Sequence, residues 1–145
     1  MATHTWSWWW ATLVEPLLRL PVAVLLAAAI GWDRSTRGKP AGRRTHMLVA
    51  LGTATFTLGA VMAHGSDPKT VARVVQGVAG GLGLLAAGSI LQSKGQVSGI
   101  TTAVSAWLCG AIGVSCGLGS YPVAIVATVA AVIILVLDRV HVRRD

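Results

Sequence analysis

Acidic residues are scarce in this chain: five Asp and Glu among 145 residues, against twelve Lys and Arg. Charged residues make up 12% of the sequence and hydrophobic ones 54%, with a mean hydropathy of +0.68. A soluble globular domain is nearer one quarter charged, so this deficit points to lipid as the solvent. The few acids, Glu15, Asp33, Asp67, Asp138 and Asp145, all fall away from the middle of any apolar run. Ionisable groups inside the bilayer are the usual mark of an ion path, and their absence disfavours cation conduction by a single chain. There are only two cysteines, Cys109 and Cys116. On a helix their spacing leaves them about 10 Å apart along the axis, too far to bridge. They read as small buried residues rather than metal or redox groups. The start of the chain lacks a basic segment and a cleavage site, so a cleavable signal peptide is not expected.

No catalytic constellation is present. His46 has no Ser or Cys partner at a readable spacing, and the glycines from Gly80 to Gly88 are not followed by the Gly-Lys-Ser/Thr of a phosphate loop. The chain is not expected to be an enzyme or to hold a cofactor or a metal. The formal net charge of +7 suggests nucleic acid only if a basic face lies on a water-soluble body, and no stretch supplies one. A positive excess suits a membrane protein with Lys- and Arg-rich inner loops.

What is there is a set of apolar runs. Their lengths predict an all-α, polytopic membrane protein of one domain, with five transmembrane helices at about 12–32, 47–63, 70–92, 100–118 and 123–137. Before the first run, Trp6, Trp8, Trp9 and Trp10 form an interfacial anchor. The outer half of that run contains Glu15 and Arg19, in the favourable helical order for a pair, and Pro16 and Pro21. Two arrangements stay open: one span throughout, or an interfacial helix over 6–20 with Pro21 opening the span. Asp67 or Ser66 is placed to cap the third helix, with Pro68 near its first position.

Small residues mark the expected packing surfaces. Ala50 with Ala54, and Thr55 with Gly59, are spaced by four in the second run. In the third, Gly77, Gly81 and Gly88 share one face, Gly80, Gly83 and Ala87 lie beside it, and Val78, Leu82 and Leu85 fall opposite. Seven glycines between Gly77 and Gly99 would cost roughly 1 kcal/mol each in a soluble helix. Here they predict tight packing on the glycine side and lipid on the aliphatic side, with Gly113 and Gly117 doing the same in the fourth run.

Orientation follows from counting cations by side. With the N-terminus outside, Arg34, Arg37, Lys39, Arg43, Arg44, Lys94, Arg139, Arg143 and Arg144 lie inside, nine against Arg19, Lys69 and Arg73 outside. The expected topology is N-terminus out and C-terminus cytoplasmic. Five of the nine are packed between Asp33 and His46. There Asp33 and Arg34 close the first span, while Arg44, Thr45 and His46 open the second. These are either interfacial charges pairing with one another and with lipid, or an anion- or partner-binding site at a helix start. Arg73, on the other surface, reads as a snorkelling cation or as a further functional residue.

This segment carries a resemblance. Gly31-Trp32-Asp33-Arg34, then Ala41-Gly42-Arg43-Arg44-Thr45-His46, is similar to the Gly-x-Glu-Arg and Ala-Gly-Leu-Arg-Thr-His/Asn elements of the MgtC/SapB family of bacterial inner-membrane proteins. Gly81-Leu82-Gly83-Leu84-Leu85-Ala86-Ala87-Gly88-Ser89-Ile90 and Gly99-Ile100-Thr101-Thr102-Ala103 resemble its later motifs, in order. Asp33 stands where the family has Glu, Arg43 where it has Leu, Leu84 where it has Phe and Ala86 where it has Gly. The resemblance implies an inner-membrane location and a link to growth under magnesium limitation and, in pathogens, intracellular survival. It implies action on other membrane complexes, a proton-driven ATP synthase among them. Some members carry a soluble domain after the last helix, and its activities are not expected of this chain. The partners expected are therefore the lipid bilayer and a membrane protein, with homo-oligomerisation open. A small-ion or solute transporter or channel is the alternative.

Overall fold

The computed structural model describes residues 13–93 and 96–142. Trp6 to Trp10, Lys94, Arg143, Arg144 and Asp145 lie outside the described residues.

Five helices form the described fold: α1 (Glu15–Thr36), α2 (Arg43–His64), α3 (Pro68–Ala87), α4 (Ile100–Gly117) and α5 (Tyr121–Val142). The first four are long and apolar enough to cross a membrane, and the fifth holds a shorter apolar stretch, Tyr121–Leu137. The chain is an all-α membrane protein.

α1 is one helix from Glu15 through Pro21 to Thr36, so residues 15–20 continue the helix that follows Pro21, while residues 6–12 of the alternative arrangement lie outside the described residues. Pro21 removes only the bond to the carbonyl four residues earlier, on a side where Leu17 is exposed. Its buried stripe, Ala23, Ala27, Ile30, Gly31 and Arg34, keeps the spacing of a helix face turned to a core. α2 begins at Arg43, four residues before the expected Met47, because Ser35 Oγ accepts the Arg43 N–H at 2.6 Å. A distant hydroxyl thereby satisfies a donor that the helix start would leave unpaired. α3 starts as expected, with the Asp67 carboxylate accepting from Thr70 N at 3.0 Å and Pro68 following. It ends at Ala87, earlier than the expected Gln92. There a two-stranded antiparallel hairpin, β1 (Leu91–Ser93) and β2 (Gln96–Ser98), replaces the turn, in the register Leu91 to Ser98. Gly99, at φ +90°, seats its Cα against the Ser89 carbonyl, where no Cβ fits.

α4 is the central helix. It touches the other four, and ten of its residues are buried. It runs parallel to α2, since His46 meets Ser105 near both starts while Thr57 meets Gly117 near both ends. Gly113 sits against Ala50 and Thr53, and a Cβ on Gly117 would lie 2.7 Å from Thr57 Cβ. Ala50 and Ala54 are fully buried in the same contact. The expected packing roles of Gly113, Gly117, Ala50 and Ala54 are met here. Gly59 faces open space and Thr55 is exposed, so that second spacing packs against nothing among the described residues.

The glycine face of α3 is a correction. Among the described residues, a Cβ added at Gly77, Gly80, Gly81 or Gly83 would meet no neighbouring atom within 4 Å, and one at Gly88 would meet only carbonyls of its own last turn. The only buried residue of α3 is Leu82, which was expected to face lipid. Leu82 inserts into the space that Gly110 of α4 leaves free. The glycine of that contact is on α4, and α3 supplies the large side chain.

Candidate functional site

The charged segment folds into one polar layer where the end of α1, the starts of α2 and α4, and the late part of α5 converge. α1 and α2 approach closely there: a Cβ at Gly31 would lie 2.7 Å from Arg43 Cα. Asp33 and Arg34 are both buried, Arg34 to within 2% of its surface. Arg34 Nη2 donates to Asp33 Oδ2 at 2.6 Å, and Arg37 Nε, one turn on, donates to Asp33 Oδ1 at 3.2 Å. Arg37 also donates to the Leu135 carbonyl and so joins α1 to α5. Arg34 Nε is buried and has no hydrogen-bond partner among the described residues. A carboxylate flanked by two guanidiniums lowers the charge that this layer must hold away from water.

His46 is fully buried. Its Nδ1 lies 2.8 Å from the Gly42 carbonyl, which can only accept, so Nδ1 carries a proton. Nε2 lies 2.9 Å from Ser105 Oγ, and that hydroxyl lies 2.9 Å from the Thr102 carbonyl. With the ring neutral, Nε2 is an acceptor and Ser105 its donor. The hydroxyl has one proton and serves one of its two neighbours at a time.

Arg44 and Thr45 are exposed. With Ser35, Gly42 and Arg43 they line a pocket of about 310 Å³. The Arg43 guanidinium stacks 4.9 Å above the Trp32 ring. Of the six expected site residues, Asp33, Arg34 and His46 are therefore interior rather than at an open surface: Asp33 and Arg34 pair with one another on α1, and His46 bonds across to Ser105 of α4. Arg44 and Thr45 line the surface pocket. Arg73 belongs to neither group: it is exposed on the second turn of α3, near the opposite end of the helices.

At that opposite end Glu15 and Arg19 form the expected pair at 2.6 Å, and Arg19 also donates to the Gly117 carbonyl at 2.7 Å. Sequence reasoning assigned no individual role to Ser35, Gly31 or Ser105. Ser35, Gly31 and Ser105 act across 8, 12 and 59 positions of chain through contacts that no local pattern announces.

A family model described as the MgtC family matches residues 20–144. The chain is similar to protein SrpB of Synechococcus elongatus, 39% identical over 122 residues that cover 76% of this chain and 67% of the relative. It is likewise similar to protein MgtC of Salmonella typhimurium, 39% identical over 113 residues, 78% of this chain and 48% of that one. Protein MgtC of Brucella abortus is 38% identical over 130 residues, 90% of this chain and 54% of its own length. The chain thus spans about half the length of these two MgtC relatives. No solved structure matches it.

Proposed function

As the chain belongs to the MgtC family, we propose that it is a regulatory or interaction protein of the bacterial inner membrane, acting in adaptation to magnesium limitation by packing against another membrane complex. Its relatives' name supports the magnesium link. The excess of cations in the segments around Asp33–His46 and the end of the chain supports an N-terminus outside and a C-terminus in the cytoplasm. In this reading the chain catalyses no reaction.

One observation carries the partner: α3 is a membrane-length helix with a single buried residue. On its outer side Gln76, Gly80, Gly83 and Ala87 fall within a narrow arc, all exposed, with open space above both glycines. Lipid tails gain nothing from a bare glycine backbone or an amide, whereas a helix can approach the first closely and hydrogen-bond the second. Ion transport by the single chain has less support, because Glu15, Asp33 and Asp67 stand at helix ends rather than at mid-span.

Cross-linking mass spectrometry of the chain in its own membrane, at low and high magnesium, tests the proposal. The expected result is a larger membrane protein linked to residues of α3, more abundant at low magnesium. Recovery of self-complexes alone would overturn it. Cation flux into liposomes above that of empty vesicles would favour the transport reading instead.

A further inference from the structure

Two cavities of different character share one wall residue. The polar pocket bounded by Ser35, Gly42, Arg43 and Arg44 ends at Thr45. A groove of about 760 Å³ between α2 and α3 begins at the same Thr45 and continues past Leu48, Val49 and Phe56 of α2, with Gly77 and Gly81 of α3 forming its other wall. The groove exists because those two glycines and Gly52 leave space that no side chain among the described residues fills.

We propose that pocket and groove together hold one anionic phospholipid, its phosphate at Arg43 and Arg44 and one acyl chain along the groove. The charges fit: among the described residues no carboxylate pairs with either arginine. Depth fits as well. From Thr45 to Phe56 the helix rises about 16 Å, close to half of the roughly 30 Å hydrocarbon core and so the length of one leaflet. The level of the arginines is marked by Trp32, which is 58% exposed beneath Arg43. An exposed indole carrying a cation belongs at the head groups. A second copy is a poorer occupant, because a two-fold axis along the membrane normal would bring its own Arg43 and Arg44 to the same depth, cation against cation.

The test uses the full chain in mild detergent, with retained lipid counted by native mass spectrometry. Phosphatidylglycerol and phosphatidylcholine with identical acyl chains are compared. Phosphatidylglycerol should be retained about thirtyfold better, the factor that two guanidiniums at a head group imply. An R43Q/R44Q chain should lose that preference. Gly81→Leu and, from the other wall, Gly52→Leu should cut retention of both lipids about tenfold or more, since each leucine would project into the groove from a position where an added Cβ meets no described atom within 4 Å. Gly59→Leu, equally open but outside the groove, should leave retention unchanged. Equal retention of the two lipids by the parent chain overturns the proposal, as does full retention by both groove variants. Competition by glycerol phosphate as strong as by the whole lipid would show a phosphate pocket without a chain groove, and would also overturn it. So would a dimer that Gly81→Leu dissolves while bound lipid is unaltered, because the groove would then be a contact between copies.

Discussion

His46 and Ser105, 59 residues apart in sequence, place Nε2 and Oγ at 2.9 Å inside the bundle. The contact joins the first turn of α2 to the early part of α4 and orients an imidazole whose other nitrogen donates to the Gly42 carbonyl. Among the described residues it is one of the few side-chain hydrogen bonds between helices, in a core made mostly of Ala, Ile, Cys and Leu.

Removing the hydroxyl should therefore cost more than its size suggests. Ser105→Ala leaves Nε2 buried without a donor and is expected to destabilise the fold by about 1–3 kcal/mol. Ser115→Ala, whose hydroxyl reaches only the Ala111 carbonyl of its own helix, should change stability by no more than about 0.5 kcal/mol. Unfolding of both variants in detergent by titration with dodecyl sulfate measures the difference. Equal midpoints would mean that Ser105 does not support His46.

The glycines of α3 and α4 should respond in opposite ways to the same substitution. Gly113→Ala places a methyl against Thr53 Oγ1 and the Ala50 carbonyl, an overpacking expected to cost about 1–3 kcal/mol. Gly81→Ala meets nothing within 4 Å and should be neutral or stabilising by up to about 1 kcal/mol through helix propensity. Thermal aggregation midpoints in detergent report both. A tolerated Gly113→Ala would contradict the close α2–α4 contact.

The polar layer depends on its one described carboxylate. Asp33→Asn leaves Arg34 buried without a counter-charge and should destabilise by about 3–5 kcal/mol. Asp33→Asn combined with Arg34→Met removes both charges and should recover much of the loss. Comparison of folded yield and unfolding midpoint across the single and double variants decides the point. A double variant no better than the single one would show that Arg34 is not held by Asp33.

Much of this was legible in the residues. The number and approximate position of the helices, the Asp67 cap, the Glu15–Arg19 pair and the burial of Cys109 and Cys116 follow from apolar length, turn chemistry and helical spacing. The start of α2 was misplaced because its stabilising hydroxyl, Ser35, lies on another helix. The end of α3 was misplaced because an apolar run does not distinguish the last turn of a helix from the hairpin that follows it.

By itself the sequence determined that lipid is the solvent, where the chain crosses it, and which small residues share a helix face. Those properties depend on composition and on a period of 3.6 residues, and both are local. Only the tertiary structure decided which faces meet. In water the apolar face is the buried one, so amphipathicity points inward; in a bilayer every face is apolar, and burial follows shape instead. Shape put Leu82 into the space beside Gly110, left Gly77 and Gly81 lining a groove, and drew His46 from the expected surface into contact with Ser105.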